Sequence, residues 1–256
     1  MSDFDPPTEP LAVPRDPASA PLDFGQVART LMEPKDVAGV LQRIAVVARA
    51  VLTGSDHCGV TVAQRGKMWT AGASDDLPAR LDALQHEVGE GPSVEAIRVH
   101  DVCDAPDLAT DGRWPAFAER AVAETPVRSV LSYRLYLDDR TLGALTAYAD
   151  RPHAFDAATH EVGSLLAAQA AIALASAEDV HHLRIALQSR DLISTAKGIL
   201  MAREGMSETE AFDVLRRASR RSNISLRELA ERVVSGAASA AELNGQPHDG
   251  KPTETR

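Results

Sequence analysis

The spacing of apolar side chains changes along the first part of the chain. Residues 35–51 repeat apolar positions every three or four residues, which predicts an amphipathic helix beginning just after Pro34. Residues 59–64 then alternate apolar and polar side chains, and residues 67–71 follow after a short turn. This alternation predicts a β-hairpin.

The two periods continue to mix up to residue 155. Helical spacing predicts helices over 77–87 and 114–124 and a glycine turn with a short helix within 89–98, and alternation predicts strands over 99–104, 127–137 and 142–148. The strand over 127–137 places on one face Leu131, Tyr133, Leu135 and Leu137. The pattern predicts an α+β domain in which helices flank an antiparallel sheet.

A single long helix is predicted over 157–204. No proline stands between Pro152 and Pro247, and Asp156 is a favourable N-cap residue. At 1.5 Å per residue an unbroken helix would extend about 70 Å. A break within 189–191 stays open as an alternative.

Apolar residues along this helix keep the 4-3-4 spacing of a coiled-coil seam. In the second half the seam narrows to Val180, Leu183 and Leu187, which predicts a parallel dimer. Gln169 and Ser176 interrupt the seam. Packing of the helix on its own domain is therefore the alternative interpretation.

Two short helices are predicted after the long one, giving a three-helix all-α module. Gly205 is placed to end the long helix, and Ser-x-x-Glu capping boxes begin the next two helices near residues 208 and 226, through the pairs Ser207–Glu210 and Ser225–Glu228. The side chains predicted to face the core of this module are Ile193, Ala196, Leu200, Met201, Ala211, Phe212, Leu215, Ala218, Ser219, Leu226, Leu229, Ala230 and Val233.

Charge is distributed unevenly. The net charge of −10 speaks against broad nonspecific binding to nucleic acid. Residues 186–235, however, hold nine Lys and Arg against seven Asp and Glu, with a basic run at Arg216, Arg217, Arg220 and Arg221. Cations at a helix C-terminus complement the helix dipole, but four exceed that need, so contact with nucleic acid is favoured over a merely solvated face. The inward Phe212 disfavours a base-stacking platform.

The C-terminal module resembles an ANTAR domain over residues 187–234. The resemblance is carried by AKGILM at 196–201, EAFDVLRRAS at 210–219 and SLRELAERVV at 225–234. It implies an RNA-binding transcription antitermination regulator. In such a regulator, dimeric modules bind paired stem-loops of a nascent transcript and prevent a terminator from forming.

The same resemblance implies which residues contact RNA. Carried over by position, these are Lys197, Arg203, Arg216, Ser219 and Arg220, to which the basic run adds Arg217 and Arg221. Gly198 lies inside the long helix, where glycine costs about 1 kcal/mol relative to alanine. Close packing of another helix is the preferred explanation for this glycine, and close approach of RNA is the alternative.

Residues 36–178 resemble a GAF sensor domain of the kind fused to ANTAR modules in actinobacterial regulators. The resemblance is carried by VGEGPSVEAI at 88–97, DGRWPAF at 111–117, VRSVLSYRL at 127–135 and LGALTAYADRPHAFD at 142–156. It implies a sensor architecture but fixes no ligand. Ser93 stands where related sequences often carry cysteine, so a thiol role at this position is unsupported.

The sequence offers little for catalysis or metal binding. It has no recognisable nucleophile motif and no glycine-rich phosphate loop ending in Lys-Ser or Lys-Thr. His57, Cys58, His100 and Cys103 are interpreted as filling space on predicted strands rather than as metal ligands, and both cysteines as buried thiols. No enzymatic activity, cofactor or metal is therefore expected.

The predicted organisation has four segments. Residues 1–23, which hold six of the 15 prolines, and residues 236–256 are predicted to be disordered tails. Between them lie a sensor domain over 24–178 and an RNA-binding module over 179–235 that shares its first helix with the coiled coil. No apolar run reaches the roughly 18 to 20 residues of a membrane span, and the acidic N-terminus is unlike a secretory signal. A cytoplasmic location is expected.

The expected partners are RNA, a second copy of the chain, an unidentified small molecule and, indirectly, the RNA polymerase elongation complex. Two other functions stay open. One is a small-molecule sensor whose C-terminal helices bind protein. The other is a DNA-binding regulator of helix-turn-helix type, since two short capped helices superficially fit that unit, although the connection over 222–224 lacks the usual glycine.

Overall fold

The computed structural model describes residues 23–34, 36–64, 66–238 and 243. The predicted tails fall outside these ranges except for residues 23, 236–238 and 243. The chain divides between Asp179 and Val180 into two compact units, which we call the N-terminal and C-terminal units. Of the helices described, none is both long and apolar enough to cross a membrane.

The N-terminal unit alternates helices and strands, which confirms the α+β class. Its elements are α1 (Phe24–Met32), α2 (Val37–Val51), β1 (His57–Gln64), β2 (Lys67–Ala73), α3 (Asp76–Val88), α4 (Pro92–Arg98), β3 (Val102–Ala105), α5 (Pro115–Glu124), β4 (Ser129–Leu137) and β5 (Arg140–Ala149). Helix α6 follows as one element, Ala157–Glu204, and continues without a break through residues 189–191.

The five strands form one antiparallel sheet in the order β2-β1-β5-β4-β3. Each face of the sheet is covered by helices, so the unit has two hydrophobic cores. One core joins the sheet to α1, α2 and the first part of α6. The other joins the opposite face to α3, α4 and α5.

Helix α1 was not predicted from the sequence. Asp23 caps it by accepting hydrogen bonds from the amides of Gly25 and Gln26, and Val27 and Leu31 are buried in the first core. A helix of nine residues offers only two turns of apolar spacing, which is too short to stand out beside a proline-rich segment.

Strand β4 buries most of its predicted apolar face. Leu131, Tyr133 and Leu135 are buried in the first core, as predicted, but Leu137 is exposed. Leu137 pairs with Arg140 at the turn end of the hairpin and belongs to neither core. Its exposure therefore follows from its place at the end of the strand, while the register shift between Leu135 and Tyr136 inserts its extra residue, Leu142, in β5.

Tyr133 fixes how closely helix α6 lies on the sheet. Its hydroxyl lies 3.4 Å from the carbonyl oxygens of both Thr159 and His160, in the first turn of α6. A Cβ placed on Gly163 would lie 2.1 Å from that same hydroxyl oxygen. Gly163 is therefore required by the contact between helix and ring.

The C-terminal unit is built from the last part of α6, α7 (Glu208–Ser222) and α8 (Leu226–Val234). Ala196 and Leu200 of α6 are buried against a core of seven side chains from the two short helices: Ala211, Val214, Leu215, Ala218, Leu229, Ala230 and Val233. Gly205 ends α6 with φ of 71° and donates its amide to the carbonyl of Met201 at 3.0 Å, as predicted.

The two predicted capping boxes differ. Ser207 and Glu210 form the complete box, in which each side chain bonds the other residue's amide. At Ser225 only one half is found among the described residues: its hydroxyl accepts the amide of Glu228 at 3.1 Å. Both helices still begin where the motif predicted.

Two residues predicted to face this core do not. Phe212 and Met201 are each 38% exposed. The buried stripe of α7 is narrow, at positions 211, 214, 215 and 218, and Phe212 lies about 100° around the helix from Ala211, away from it. The space in this small module is already filled by alanine, valine and leucine.

Close packing of another helix, the preferred explanation for Gly198, is not found. Within the described part of the chain, a Cβ added there would meet nothing within 4 Å. Packing of another helix of the same chain therefore does not account for this glycine. Gly163 in the same helix differs, because a Cβ there would meet the Tyr133 side chain.

Replacing Gly163 with alanine should destabilise the N-terminal unit by about 1–3 kcal/mol, because the new methyl group forces α6 away from Tyr133. Both tryptophans, Trp69 and Trp114, lie in this unit, so chemical denaturation followed by tryptophan fluorescence measures its stability. Gly198→Ala is the matched control and should leave this transition unchanged. An unchanged midpoint for Gly163→Ala would contradict the packing argument.

Candidate nucleic-acid interface

Helix α7 carries a basic face opposite its buried stripe. Arg216, Arg217, Arg220 and Arg221 are all exposed, whereas Ala218 between them is buried. At 100° per residue, Arg220 lies about 160° around the helix from Ala218. The helical spacing that places the apolar side chains of α7 in the core therefore also places these arginines in solvent.

The four arginines differ in their partners. Arg216 donates to Asp213 at 2.8 Å, and both side chains are at the surface, so the pair is worth about 0–1 kcal/mol and a stronger anion can replace it. Arg221 donates to the carbonyl of Leu243. Within the described ranges, Arg217 and Arg220 have no ion-pair partner.

Lys197 is already engaged inside the unit. Its Nζ lies 2.5 Å from Oε1 of Glu208, in the first turn of α7. This hydrogen bond, together with the charge of Lys197, lowers the pKa of the Glu208 carboxyl. Lys197 thus ties α6 to α7, whereas Arg203, in the last turn of α6, is exposed.

Ser219 also has an internal partner. Its hydroxyl donates to the carbonyl of Ile224 at 2.7 Å, across the turn that joins α7 to α8. Asn223 ends α7 in the left-handed region, with φ of 55°, and so takes the place that glycine usually holds. Of the candidate residues for RNA contact, the structure brings the four arginines of α7 onto one side of that helix and leaves Arg203 exposed on α6. It uses Lys197 and Ser219 in contacts within the unit.

The residues of the predicted seam lie on the surface of the C-terminal unit. Val180, Leu183 and Leu187 are 42%, 64% and 59% exposed, and every residue from 180 to 188 is exposed. The core of this unit begins only at Leu192. Three large apolar side chains on one helix face are thus left uncovered among the described residues.

The N-terminal unit holds a buried polar group that sequence reasoning missed. Asp82 of α3 is 1% exposed and accepts hydrogen bonds from the hydroxyls of Thr61, Thr70 and Tyr148 at 2.6, 2.8 and 2.8 Å. Burial raises the pKa of the Asp82 carboxyl, although the three hydroxyl donors oppose this shift. Asp82 therefore anchors α3 to strands β1, β2 and β5.

The N-terminal unit contains further buried polar groups. Gln85 donates to the Tyr148 hydroxyl oxygen at 3.2 Å and accepts the amide of Ser93 at 2.8 Å. Ser132 and Thr146, paired across β4 and β5, are joined by a hydrogen bond of 2.8 Å between their hydroxyls. The hydroxyl of Ser93 is buried and has no partner within the described part of the chain.

Both cysteines are buried, as predicted. Burial raises the pKa of the Cys58 thiol to about 12 and that of Cys103 to about 11. Cys58 lies in the first core and Cys103 in the second. Across the residues that the structure describes, no group of three or more His, Cys, Asp and Glu side chains is placed to hold a metal ion.

Two family models match the chain. The GAF domain model matches residues 34–175, which is 142 of the 256 residues. The chain belongs to the GAF domain family. The ANTAR domain model matches residues 181–234, which include the end of α6 and both short helices. The predicted combination of a GAF and an ANTAR domain is thus confirmed, and no curated protein matches the chain.

Solved structures resemble this chain at low identity. The bacteriophytochrome RpBphP3 from the photosynthetic bacterium R. palustris is 16% identical with a TM-score of 0.50, over 73% of this chain and 43% of that one. Free methionine-R-sulfoxide reductase from Neisseria meningitidis is 17% identical with a TM-score of 0.49, over 61% and 88%. The GAF domain of a phosphoenolpyruvate-protein phosphotransferase from Acinetobacter is 13% identical with a TM-score of 0.49, over 61% and 93%. The likeness to the bacteriophytochrome shows the fold alone.

GAF domains are sensor domains, and ANTAR domains are RNA-binding antitermination modules. This GAF and ANTAR protein therefore has the architecture of a signal-transducing regulator. The ANTAR match contains the whole basic face of α7. The buried network around Asp82 lies within the GAF match.

Asp82→Asn provides a test of the buried carboxylate. Because the pKa of Asp82 is raised in the folded state, the folded protein keeps a proton that the unfolded chain has released, so wild-type stability falls as pH rises above the usual value of 3.8. The asparagine variant lacks this titration. As pH rises, the free energy of unfolding of wild type should therefore fall relative to that of the variant. Denaturation at several pH values measures this difference.

A shift towards wild type with rising pH would contradict a raised pKa. Ser132→Ala removes a buried hydroxyl that bonds Thr146 rather than Asp82, and it is the matched control. Its free-energy difference from wild type should not change with pH in this range.

Proposed function

We propose that this protein is an RNA-binding transcription antitermination regulator. Its GAF domain controls dimeric ANTAR modules that bind paired stem-loops in nascent mRNA and prevent formation of a terminator. The observation that carries the proposal is the ANTAR match over residues 181–234, together with the arginines that cover the solvent side of α7. Its place of action would be the cytoplasm, beside the RNA polymerase elongation complex.

The electrostatics of the C-terminal unit support RNA as the ligand. From Val214 to Arg227 the chain has no acidic residue, and α7 presents its arginines on one side. Neutralising phosphates releases counterions, so the affinity should fall steeply as salt rises. Arg216, Arg217 and Arg220 are the residues proposed to contact phosphate, with Arg203 and Arg221 beside them.

Lys197 and Ser219 are proposed to support this surface from within. Lys197 holds the first turn of α7 through Glu208, and Ser219 closes its last turn through Ile224. Both ends of the arginine-bearing helix are fixed in this way. RNA contact through the remaining polar atoms of these two side chains is part of the same proposal.

The dimer is proposed to form through the seam of α6. Val180, Leu183 and Leu187 recur at the spacing of a parallel coiled coil and are exposed. Two modules held together would bind two stem-loops of one transcript. The second binding event would then be intramolecular, which raises the overall affinity. An unidentified small molecule bound by the GAF domain is the proposed input.

DNA binding is the second candidate. Helices α7 and α8 are joined by three residues, and Asn223 supplies the left-handed turn for which the sequence lacks a glycine. Two short helices connected by such a turn occur in helix-turn-helix proteins. Duplex DNA is therefore a necessary comparison in any binding measurement.

Binding should be measured with a short RNA that carries two tandem hexaloop hairpins, against the same RNA with scrambled loops and against duplex DNA at the same salt. Wild-type protein should prefer the intact loops. Arg216→Glu with Arg220→Glu should abolish this binding, because it reverses two charges on the phosphate-facing side, while helix content measured by circular dichroism stays unchanged.

Arg227→Glu with Arg232→Glu makes the same charge change on α8 and serves as the control. It should weaken binding far less. Equal losses for the two double variants would refute the placement of the RNA face on α7, and preferred retention of duplex DNA would favour the second candidate.

Leu183→Asp with Leu187→Asp should give monomers in sedimentation velocity, because two carboxylates would be buried in each helix of the seam. His182→Asp with Ala186→Asp places the same charges on exposed positions on another side of the helix. This control should stay dimeric. A dimer that persists in the leucine variant would exclude the seam.

A further inference from the structure

Phe212 is an exposed aromatic residue in a unit that has no other. Residues 180–256 contain no tryptophan, no tyrosine and no second phenylalanine. The ring is 38% exposed, whereas its neighbours Ala211, Val214 and Leu215 are almost completely buried. The core of the unit therefore does not require the Phe212 ring to be fully buried.

The position of Phe212 on α7 sets what lies beside it. Arg216 follows four residues later and Arg220 eight residues later, so the three side chains share one side of the helix. The nearby acidic side chains are both paired: Glu208, four residues earlier, with Lys197, and Asp213 with Arg216. The exposed ring is thus continued along the helix by two guanidinium groups.

We propose that Phe212 is the base-stacking residue of the interface, on which one unpaired base of an RNA loop stacks while Arg216 and Arg220 contact the neighbouring phosphates. The proposal rests on the proposed function and deepens it by naming a residue that distinguishes a loop from a stem. Bases within a stem are already stacked, whereas loop bases can be splayed out onto an aromatic ring. Phosphate contacts alone cannot make that distinction.

A second copy of the chain is a poorer occupant for this surface. A symmetric contact through the same patch on both copies would bring Arg216 and Arg220 close to their counterparts. Such juxtaposed like charges oppose association. A nucleic acid offers an aromatic base and compensating phosphates together, which matches the order of ring and cations along α7.

The test uses the full chain and the double-hairpin RNA described above, with 2-aminopurine placed at each loop position in turn. Phe212→Leu keeps the apolar volume and removes the ring, Phe212→Ala removes both, and Phe212→Trp keeps a ring. Val234→Ala is the matched control, because Val234 is an apolar side chain on α8 that is equally exposed, at 39%.

Both Phe212→Leu and Phe212→Ala should lower the affinity about tenfold to hundredfold, the range expected for loss of one stacked base. The dependence of affinity on salt should stay unchanged, because phosphate contacts remain. Phe212→Trp and Val234→Ala should bind as wild type does. One loop position should show 2-aminopurine quenching by wild type that is lost with the leucine variant.

Three results would overturn the proposal while leaving the proposed function intact: wild-type affinity in both the leucine and alanine variants, a loss in the alanine variant that leucine restores, or an oligomeric state changed by Phe212→Ala. Failure of wild-type protein to prefer intact over scrambled loops would instead overturn the proposed function itself, and the Phe212 proposal with it. Circular dichroism of each variant establishes that α7 is folded.

Discussion

Helix α6 completes two hydrophobic cores. One lies between the sheet and helices α1 and α2, and the other is the core of the C-terminal unit. In the N-terminal unit, α6 contributes Leu166, Leu174 and several alanines to the core beneath β1, β4 and β5. In the C-terminal unit, Ala196 and Leu200 supply the surface on which α7 and α8 pack. Neither the sheet face nor the pair of short helices could exclude water without this one helix. Its residues therefore serve folding first, and the surfaces it leaves exposed are what remains for partners.

Much of this arrangement follows from the sequence pattern because the pattern and the core have the same physical cause. The strands near 59–64 and 142–148, the long helix and the cap at Ser207 were predictable, since apolar period and capping chemistry act locally. The exposure of Leu137 and of Phe212 was not, because the end of the hairpin in one case and a filled core in the other depend on neighbouring elements. Local sequence carries no sign of either.

The residues of the candidate interface likewise divide into those that local sequence predicts and those that it does not. The arginines of α7 could be assigned to its solvent side from spacing alone, because they fall between the apolar positions. The internal partners of Lys197 and Ser219 were not foreseen: Glu208 reaches Lys197 only after α6 and α7 pack, and the carbonyl of Ile224 reaches Ser219 only once the turn after α7 has formed. Asp82 was missed for a related reason: a single aspartate in an amphipathic helix is typical of a solvated position, and only the assembled sheet brings three hydroxyl donors around it.

The contact of Tyr133 with Gly163 has a mechanical consequence. Most contacts between a helix and a sheet are cushioned by side chains on both partners, which can change rotamer when one element moves. At this contact a phenol ring from β4 rests directly on helix backbone, and its hydroxyl lies within reach of two carbonyl oxygens of the first helical turn. Close-packed interiors of this kind are stiff and transmit strain. A displacement of β4 at Tyr133 would thus be passed to the main chain of α6 with little loss to side-chain rearrangement.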